Sequence, residues 1–381
     1  MLWHSVAAGN FGVGALTVGN LALARAAAAR ASMVPEFTVF GPVERGTPYV
    51  AAPDVALRSI TRRYLLGTAG YRADLKNLDI MLDISAGDSF GDIYAEKRFA
   101  YMVLTKALAI RAGLPLILSP QTIGPFSRQP HTMAAGWVCR RSAQVFARDP
   151  ISMEVLARIA PGARATQVVD VAFALPFDRA PARGGGPVRV GLNVSRLLMH
   201  RAVAGNNVYG LSYDYAALTR AIITAFLAMP DVEVHLVPHV VAPGQPYDDD
   251  GAAADALKAE FPALVRHPDF AGPSDAKGFI SSLDFLVGGR MHATIGAYSA
   301  GVPVVPVSYS RKFEGLYGGL DYPWFVPSKG MDTDTAIAFV LDAFARRAEL
   351  ATAITRGTPV IAAGLETYTA ALAREFAAAA A

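Results

Sequence analysis

The chain has 381 residues, 52% hydrophobic and 18% charged, which excludes a disordered polypeptide and gives room for two domains. Lys and Arg number 35 against 32 Asp and Glu, so the bulk charge predicts no nucleic-acid partner and any anion site must be local. The single cysteine, Cys139, excludes an intramolecular disulfide and a cysteine-rich zinc site, and suits a reducing cytoplasm.

The opening Met1-Leu2-Trp3-His4 lacks the charged and apolar regions of a secretory signal, so none is expected. No uninterrupted apolar run reaches about 18 residues, so no transmembrane segment is expected, which leaves peripheral membrane contact open. Residues 2–6 read as a first strand, followed by the turn Gly9-Asn10-Phe11-Gly12-Val13-Gly14 and a helix over 15–31. Arg25 and Arg30 on the alanine-rich piece 21–31 predict an amphipathic helix. The glycines let backbone approach a ligand as in a phosphate loop, although neither a Walker loop nor a GxGxxG fingerprint is present; a plain tight turn explains them equally well.

Apolar runs at 37–40, 78–84, 114–119, 143–147 and 167–171 alternate with helical stretches such as 98–112 and 132–141. Short apolar runs between amphipathic helices predict a parallel sheet covered on both faces. Residues 176–187, PFDRAPARGGGP, carry Pro, Gly and charge without periodicity and read as a linker. The pattern then restarts with strands at 188–194, 232–238, 284–287 and 302–309. Helices are expected over 213–229, 248–261, 333–347 and 359–380, with a short one ending at 279–283. The expectation is an α/β protein of two Rossmann-like domains facing across a cleft. Its parts are a first domain over 1–178, a linker over 179–187 and a second domain over 188–381, with the last helix free to pack back on the first domain.

Ligands of such folds gather at the carboxyl ends of the strands. In the first half these ends carry Asp88, Ser89 and Asp92, then Gln121 and Thr122, then Arg148 and Asp149. Asp88 and Asp92 are candidates for acid/base work or for holding sugar hydroxyls, or serve as helix caps. In the second half the ends carry Asn193, His239, Arg290 with His292, and Ser308, Tyr309, Arg311 and Lys312. The stretch Gly288-Gly289-Arg290-Met291-His292 is the most informative. It places a cation and an imidazole where a strand hands over to a helix, beside backbone donors that suit an anion. His235 alternates with apolar neighbours and reads as structural. No metal-ligand spacing and no G-x-S-x-G elbow appear.

Taken together these pieces resemble the bacterial polysaccharide pyruvyl transferases. The resemblance rests on Gly9–Gly14, Gly87-Asp88-Ser89-Phe90 with Asp92-Ile93-Tyr94, Gln121-Thr122-Ile123-Gly124-Pro125 and Arg148-Asp149-Pro150 with Ser152. It continues through Asp170-Val171-Ala172-Phe173, His239, Arg290-x-His292 and Tyr309-Ser310-Arg311-Lys312-Phe313. Two departures stand out: Gly12-Val13-Gly14 where family openings often carry an acid, and Ala86 where a second glycine is common.

The resemblance implies a GT-B-like architecture and transfer of a pyruvyl group from phosphoenolpyruvate to two hydroxyls of a cell-surface or exopolysaccharide precursor. The product would be a ketal, phosphate would leave, and no cofactor beyond phosphoenolpyruvate as co-substrate would be needed. Catalysis would fall to His292 as acid, with Asp92 or Asp88 as base. Substrate binding would fall to Arg290, Lys312, Arg148, Gly9, Asn10, Gly12, Ser89, Gln121, Asn193, His239, Ser308 and Tyr309. The acceptor can be lipid-linked, which would put the reaction in the cytoplasm at the inner face of the membrane. The alternative is a GT-B-type sugar-nucleotide glycosyltransferase.

Overall fold

The structure, a computed structural model, describes residues 1–380 except Arg45, Thr68, Asn206 and Pro246; the side chains of Val203 and Arg311 also lie outside the description. The chain forms two compact units. The first holds Met1–Ala8, Leu16–Ala174 and Ile361–Ala381, and the second Gly9–Ala15 and Leu175–Val360. The glycine-rich segment near the amino terminus therefore goes with the second unit, and the end of the chain with the first.

In the first unit six strands run parallel: β1 Phe37–Gly41, β2 Val55–Ser59, β3 Met81–Asp83, β4 Leu116–Gln121, β5 Gln144–Ala147 and β6 Ala165–Gln167. Leu2 bridges β1 and β3, so the spatial order is β2-β1-Leu2-β3-β4-β5-β6. The expected strand over 2–6 shrinks to this bridge because Trp3 turns the chain at φ 55°. Strand β2 escapes a hydrophobicity reading because four of its five residues are exposed. The expected strand at 167–171 ends earlier, where Asp170 accepts from Ala172 N–H at 2.8 Å and starts a short turn. Strands β3 and β4 are wholly buried, packing with Met102, Val138 and Val155 into one core.

The Phe11–Arg30 helix corrects the amphipathic expectation for its alanine-rich part. It is apolar nearly all round, and 72% of its most apolar stretch is buried. By length and composition it could cross a membrane, but an all-round apolar helix of this kind is also what a protein core requires. The helix expected over 359–380 is continuous from Arg347 to Ala380, with Pro359 inside it.

The second unit carries five parallel strands: β7 Val188–Asn193, β8 Val232–Leu236, β9 Val265–Arg266, β10 Phe285–Gly288 and β11 Val304–Pro306. Their order is β11-β10-β7-β8-β9. The chain starts in the middle, winds outward through β8 and β9, then crosses to β10. The point where the order reverses lies between β7 and β10, and in doubly wound sheets that point is the crevice where ligands sit.

Candidate functional site

Asn193 ends β7 and ties the switch point together. Its side-chain oxygen accepts from Arg290 N–H at 2.9 Å, its amide donates to Val237 O at 2.9 Å, and its own carbonyl accepts from Gly289 N–H at 2.9 Å. Gly289 is required, since a Cβ there would lie 2.4 Å from the Tyr215 hydroxyl. Arg290 then stands at the N-cap of the Met291–Ser299 helix, and no side chain caps that helix. Its first turn therefore keeps the positive end of the helix dipole available to an anion.

Arg290 is buried, and much of its guanidinium is already engaged. Nε donates to both oxygens of Asp250 at 3.2 Å, and Nη2 donates to Asp250 at 2.7 Å and to Asp248 at 2.5 Å. Burial alone would lower its pKa, but the charges of Asp250 and Asp248 outweigh it and push the value far above the usual range. Asp250 also accepts from the N–H groups of Arg196, His239 and Val240. Nη1 has no partner among the described residues.

His292, half-buried in the first turn of this helix, faces the start of the Phe11–Arg30 helix. A Cβ built on Gly12 would lie 2.5 Å from His292 Nδ1, so only glycine permits the approach. Gly9 is equally constrained: a Cβ there would meet Val241 O at 2.1 Å. The backbone donors of this second helix start are taken. Phe11 N–H donates to His239 O at 3.1 Å, and Gly12 N–H to the Asn10 side chain at 3.0 Å. What it offers is its dipole.

His239 is 4% exposed, packs edge-on against Phe11 at 5.9 Å, and neither ring nitrogen has a hydrogen-bond partner among the described residues. Burial, then the charges of His292 and Arg290, lower its pKa to about 3, so the ring is neutral. Ser308 is buried and its hydroxyl donates to Ser310 O at 3.1 Å. Tyr309 packs between Tyr209 at 5.3 Å and Phe313 at 5.4 Å. Lys312 is half-buried one residue into the Arg311–Gly319 helix. Asn193, Arg290, His292, His239, Gly9, Asn10, Gly12, Ser308, Tyr309 and Lys312 thus all belong to the second unit.

The remaining candidates belong to the first unit, where their side chains bind protein groups. Gln121 donates to Asp83 O at 3.0 Å and Oδ2 at 3.2 Å. Arg148 pairs with Asp170 at 2.5 Å and donates to Thr122 at 3.1 Å. Asp92 accepts from Ser127 N–H at 2.6 Å and from its hydroxyl at 2.8 Å, and lies 3.0 Å from His131 Nδ1. Burial raises its pKa, but the bonds from His131 and Ser127 win and hold the carboxyl below its usual value. Ser89 accepts from Arg98. Asp88 accepts from the Tyr94 hydroxyl at 2.9 Å and is half-buried.

Sequence reasoning missed Asp248 and Asp250. The run Asp248-Asp249-Asp250 was visible, but it reads as a helix start, and Asp249 does cap the Asp250–Glu260 helix. Nothing local tells that its neighbours turn toward an arginine forty residues on.

Parallel α/β units with an anion-friendly switch point define the GT-B-like class, and solved structures agree. A putative UDP-N-acetylglucosamine 2-epimerase from Listeria monocytogenes is 14% identical, covering 92% of this chain and 90% of its own, with TM-score 0.56. Anabaena HepE in complex with UDP-glucose is 11% identical over 94% and 96%, with TM-score 0.55. The rhamnosyltransferase SpnG, complexed with thymidine diphosphate, is 13% identical over 92% and 94%, with TM-score 0.51. No protein of curated function matches the chain by sequence. The family model for polysaccharide pyruvyl transferase matches residues 34–311. The chain belongs to that family, and its reaction class is a transferase of polysaccharide biosynthesis.

Proposed function

We propose that the protein transfers the pyruvyl group of phosphoenolpyruvate to a hydroxyl pair of a glycan precursor, forming a ketal and releasing phosphate. The observation that carries this reading is the uncapped start of the Met291–Ser299 helix, with His292 in its first turn and Arg290 at its N-cap. Phosphoenolpyruvate carries a carboxylate and a phosphate. The helix start and the Nη1 edge of Arg290 suit one of these groups, and Lys312 the other.

Asp248 and Asp250 hold the guanidinium plane, so its remaining edge is presented without loss of side-chain freedom on binding. Neutral His239 adds a hydrogen-bonding ring without adding charge.

His292 protonates the methylene carbon of the donor, which leaves positive character on the adjacent carbon. One sugar hydroxyl attacks that carbon and loses its proton. The second hydroxyl then displaces phosphate, so that a diol and phosphoenolpyruvate give a cyclic ketal and inorganic phosphate. Gly12 fixes how closely the His292 ring is approached. Of the two acids proposed as base, Asp92 is disfavoured, because Ser127 and His131 already bind it and lower its basicity, and Asp88, which accepts from Tyr94, is the assignment put to the test. The base assignment is tested by the Asp88→Asn variant.

The alternative, a sugar-nucleotide glycosyltransferase, draws on the fold shared with HepE, whose structure holds UDP-glucose. The two separate in one experiment. The full chain is incubated with phosphoenolpyruvate or with UDP-glucose, together with a panel of free, phosphorylated and lipid-linked sugars. The proposed reaction yields inorganic phosphate and a product heavier by a pyruvate ketal. Release of UDP with no consumption of phosphoenolpyruvate would establish the alternative.

A further inference from the structure

The first unit has a cavity of about 480 Å³ that none of the sequence candidates lines. It opens at the carboxyl ends of neighbouring sheet positions: after the Leu2 bridge at Trp3, after β1 at Val43 and after β2 at Ile60. The start of the Glu96–Arg111 helix closes it with Lys97, Arg98 and Tyr101. Such a position is where a parallel sheet presents side chains to a ligand.

Trp3 is held there against its own preference. Its backbone takes φ 55°, a left-handed conformation that costs a non-glycine residue of order 1–3 kcal/mol. The surroundings over-determine it: Trp3 N–H donates to Phe40 O at 2.7 Å, its carbonyl accepts from Ala86 N–H at 3.1 Å, and its indole Nε1 donates to Thr105 at 2.9 Å. With its indole N–H satisfied, the half-buried Trp3 lines the cavity, and Tyr101 is a second aromatic in the lining.

Arg62, Lys97 and Arg98 bring three cations to the lining, and no carboxylate lines it. Neither Arg62 nor Lys97 has a carboxylate partner among the described residues. Lys97 lies over the Tyr101 ring at 5.9 Å, and Arg98 over Tyr94 at 4.7 Å, with a bond to Ser89. Several other cations of this unit are neutralised, Arg25 by Asp54, Arg58 by Asp74 and Arg148 by Asp170. Three positive charges around one aromatic-walled cavity repel one another until an anion enters. Flat apolar faces beside charge-assisted donors suit a pyranose ring carrying a phosphoester.

We infer that this cavity binds a glycosyl phosphoester, the acceptor sugar still attached to its phosphate or diphosphate carrier, with Trp3 and Tyr101 against the sugar and Arg62, Lys97 and Arg98 on the phosphate oxygens. Naming the sugar as the acceptor rests on the pyruvyl-transfer reading; the cavity's preference for a sugar phosphoester does not. The carrier can be a nucleoside or a polyprenyl chain, since both present the same phosphate chemistry.

The test is calorimetric binding to the full chain. The probes are hexosyl and N-acetylhexosaminyl 1-phosphates, their UDP-linked forms, their diphosphates on a short water-soluble prenyl chain, and the free sugars. The wild type is expected to bind at least one phosphoester class roughly tenfold or more tightly than the free sugars. The Arg62→Gln/Lys97→Gln double variant, at two exposed positions, is expected to lose that advantage while its phosphoenolpyruvate affinity stays within about twofold. Trp3→Phe, which keeps an aromatic face, is expected to bind more tightly than Trp3→Leu. Equal affinity for free and phosphorylated sugars, or full affinity in the double variant, would overturn the inference. Phosphoester binding by a protein that ignores phosphoenolpyruvate would sink the pyruvyl-transfer reading and leave the cavity's assignment standing. Ketal formation on a sugar whose binding ignores Arg62 and Lys97 would do the reverse.

Discussion

The strand ends of the two units look alike in sequence and differ in what their polar groups do. In the first unit Gln121 binds Asp83, Arg148 pairs with Asp170, and Asp92 holds Ser127 and His131. Those groups close loops over the sheet. In the second unit Asn193, Asp248 and Asp250 are also consumed, but what they fix is an uncapped helix start, an arginine edge and a buried histidine with unbonded nitrogens. A polar residue at a strand end is therefore a poor sign of chemistry by itself. The better sign is a polar group that its neighbours hold in place without saturating.

The comparison breaks most sharply at His292. Replacement by Ala is expected to lower kcat roughly 100- to 10,000-fold while the unfolding midpoint hardly moves, measured by phosphate release and thermal denaturation. If activity survives, the second unit's strand end is as structural as the first's.

Lys106→Met tests the opposite case in the first unit, where Lys106 Nζ lies 2.9 Å from Asp83 and both side chains are fully buried. Removing one partner is expected to cost roughly 3–5 kcal/mol in urea unfolding, by stranding a buried carboxylate. Phosphoenolpyruvate affinity of the folded protein should stay unchanged.

His239 supplies a pH signature. Its folded pKa, about 3, lies below the unfolded value near 6.5, so the unfolded chain binds the extra proton in that interval. The stability carried by the neutral ring is full above about 6.5 and declines as pH falls toward 3. Between pH 7 and pH 4 the wild type should lose roughly 2–4 kcal/mol more than His239→Phe. Parallel loss in both proteins would show that His239 finds a proton-accepting partner.

Gly12→Ala is expected to push the His292 ring aside and reduce kcat by roughly 10- to 100-fold, with little change in the melting temperature, since alanine favours the helix. The smallest effect belongs to Asp92→Asn. Loss of the loop clamp should lower the melting temperature by a few degrees and kcat by less than about fivefold, whereas Asp88→Asn should act mainly on kcat. A larger loss of kcat in Asp92→Asn than in Asp88→Asn would return the base role to Asp92.

Much of the fold was legible because burial on both faces of a parallel sheet forces continuous apolar runs, and eight of the strands announce themselves in that way or nearly so, while β6 overlaps its expected run by one residue and the two-residue β9 was not anticipated. The edge strand β2 did not announce itself, because most of it is exposed and only its backbone pairing makes it a strand. The long helix at Phe11–Arg30 was found but its character misread: two arginines suggested a solvent face, while nearly every other side was taken up by the core. Arg290 and His292 were legible from the Gly-Gly turn before them. Trp3, Arg62 and Lys97 were not, since a short bridge and two helix starts far apart in the chain carry no common pattern.

Sequence alone thus determined the class of fold, the family and the turn that carries His292. Hydrophobic period and glycine placement are local constraints, and each can be read where it stands. Tertiary structure alone decided that Gly9–Ala15 joins the second unit and sets Gly12 against His292, and that Asp248 and Asp250 take most of Arg290's donors. Those outcomes depend on which buried polar groups find partners. In a folded chain the partner of a charge is set by packing across dozens of residues, and no local pattern records it.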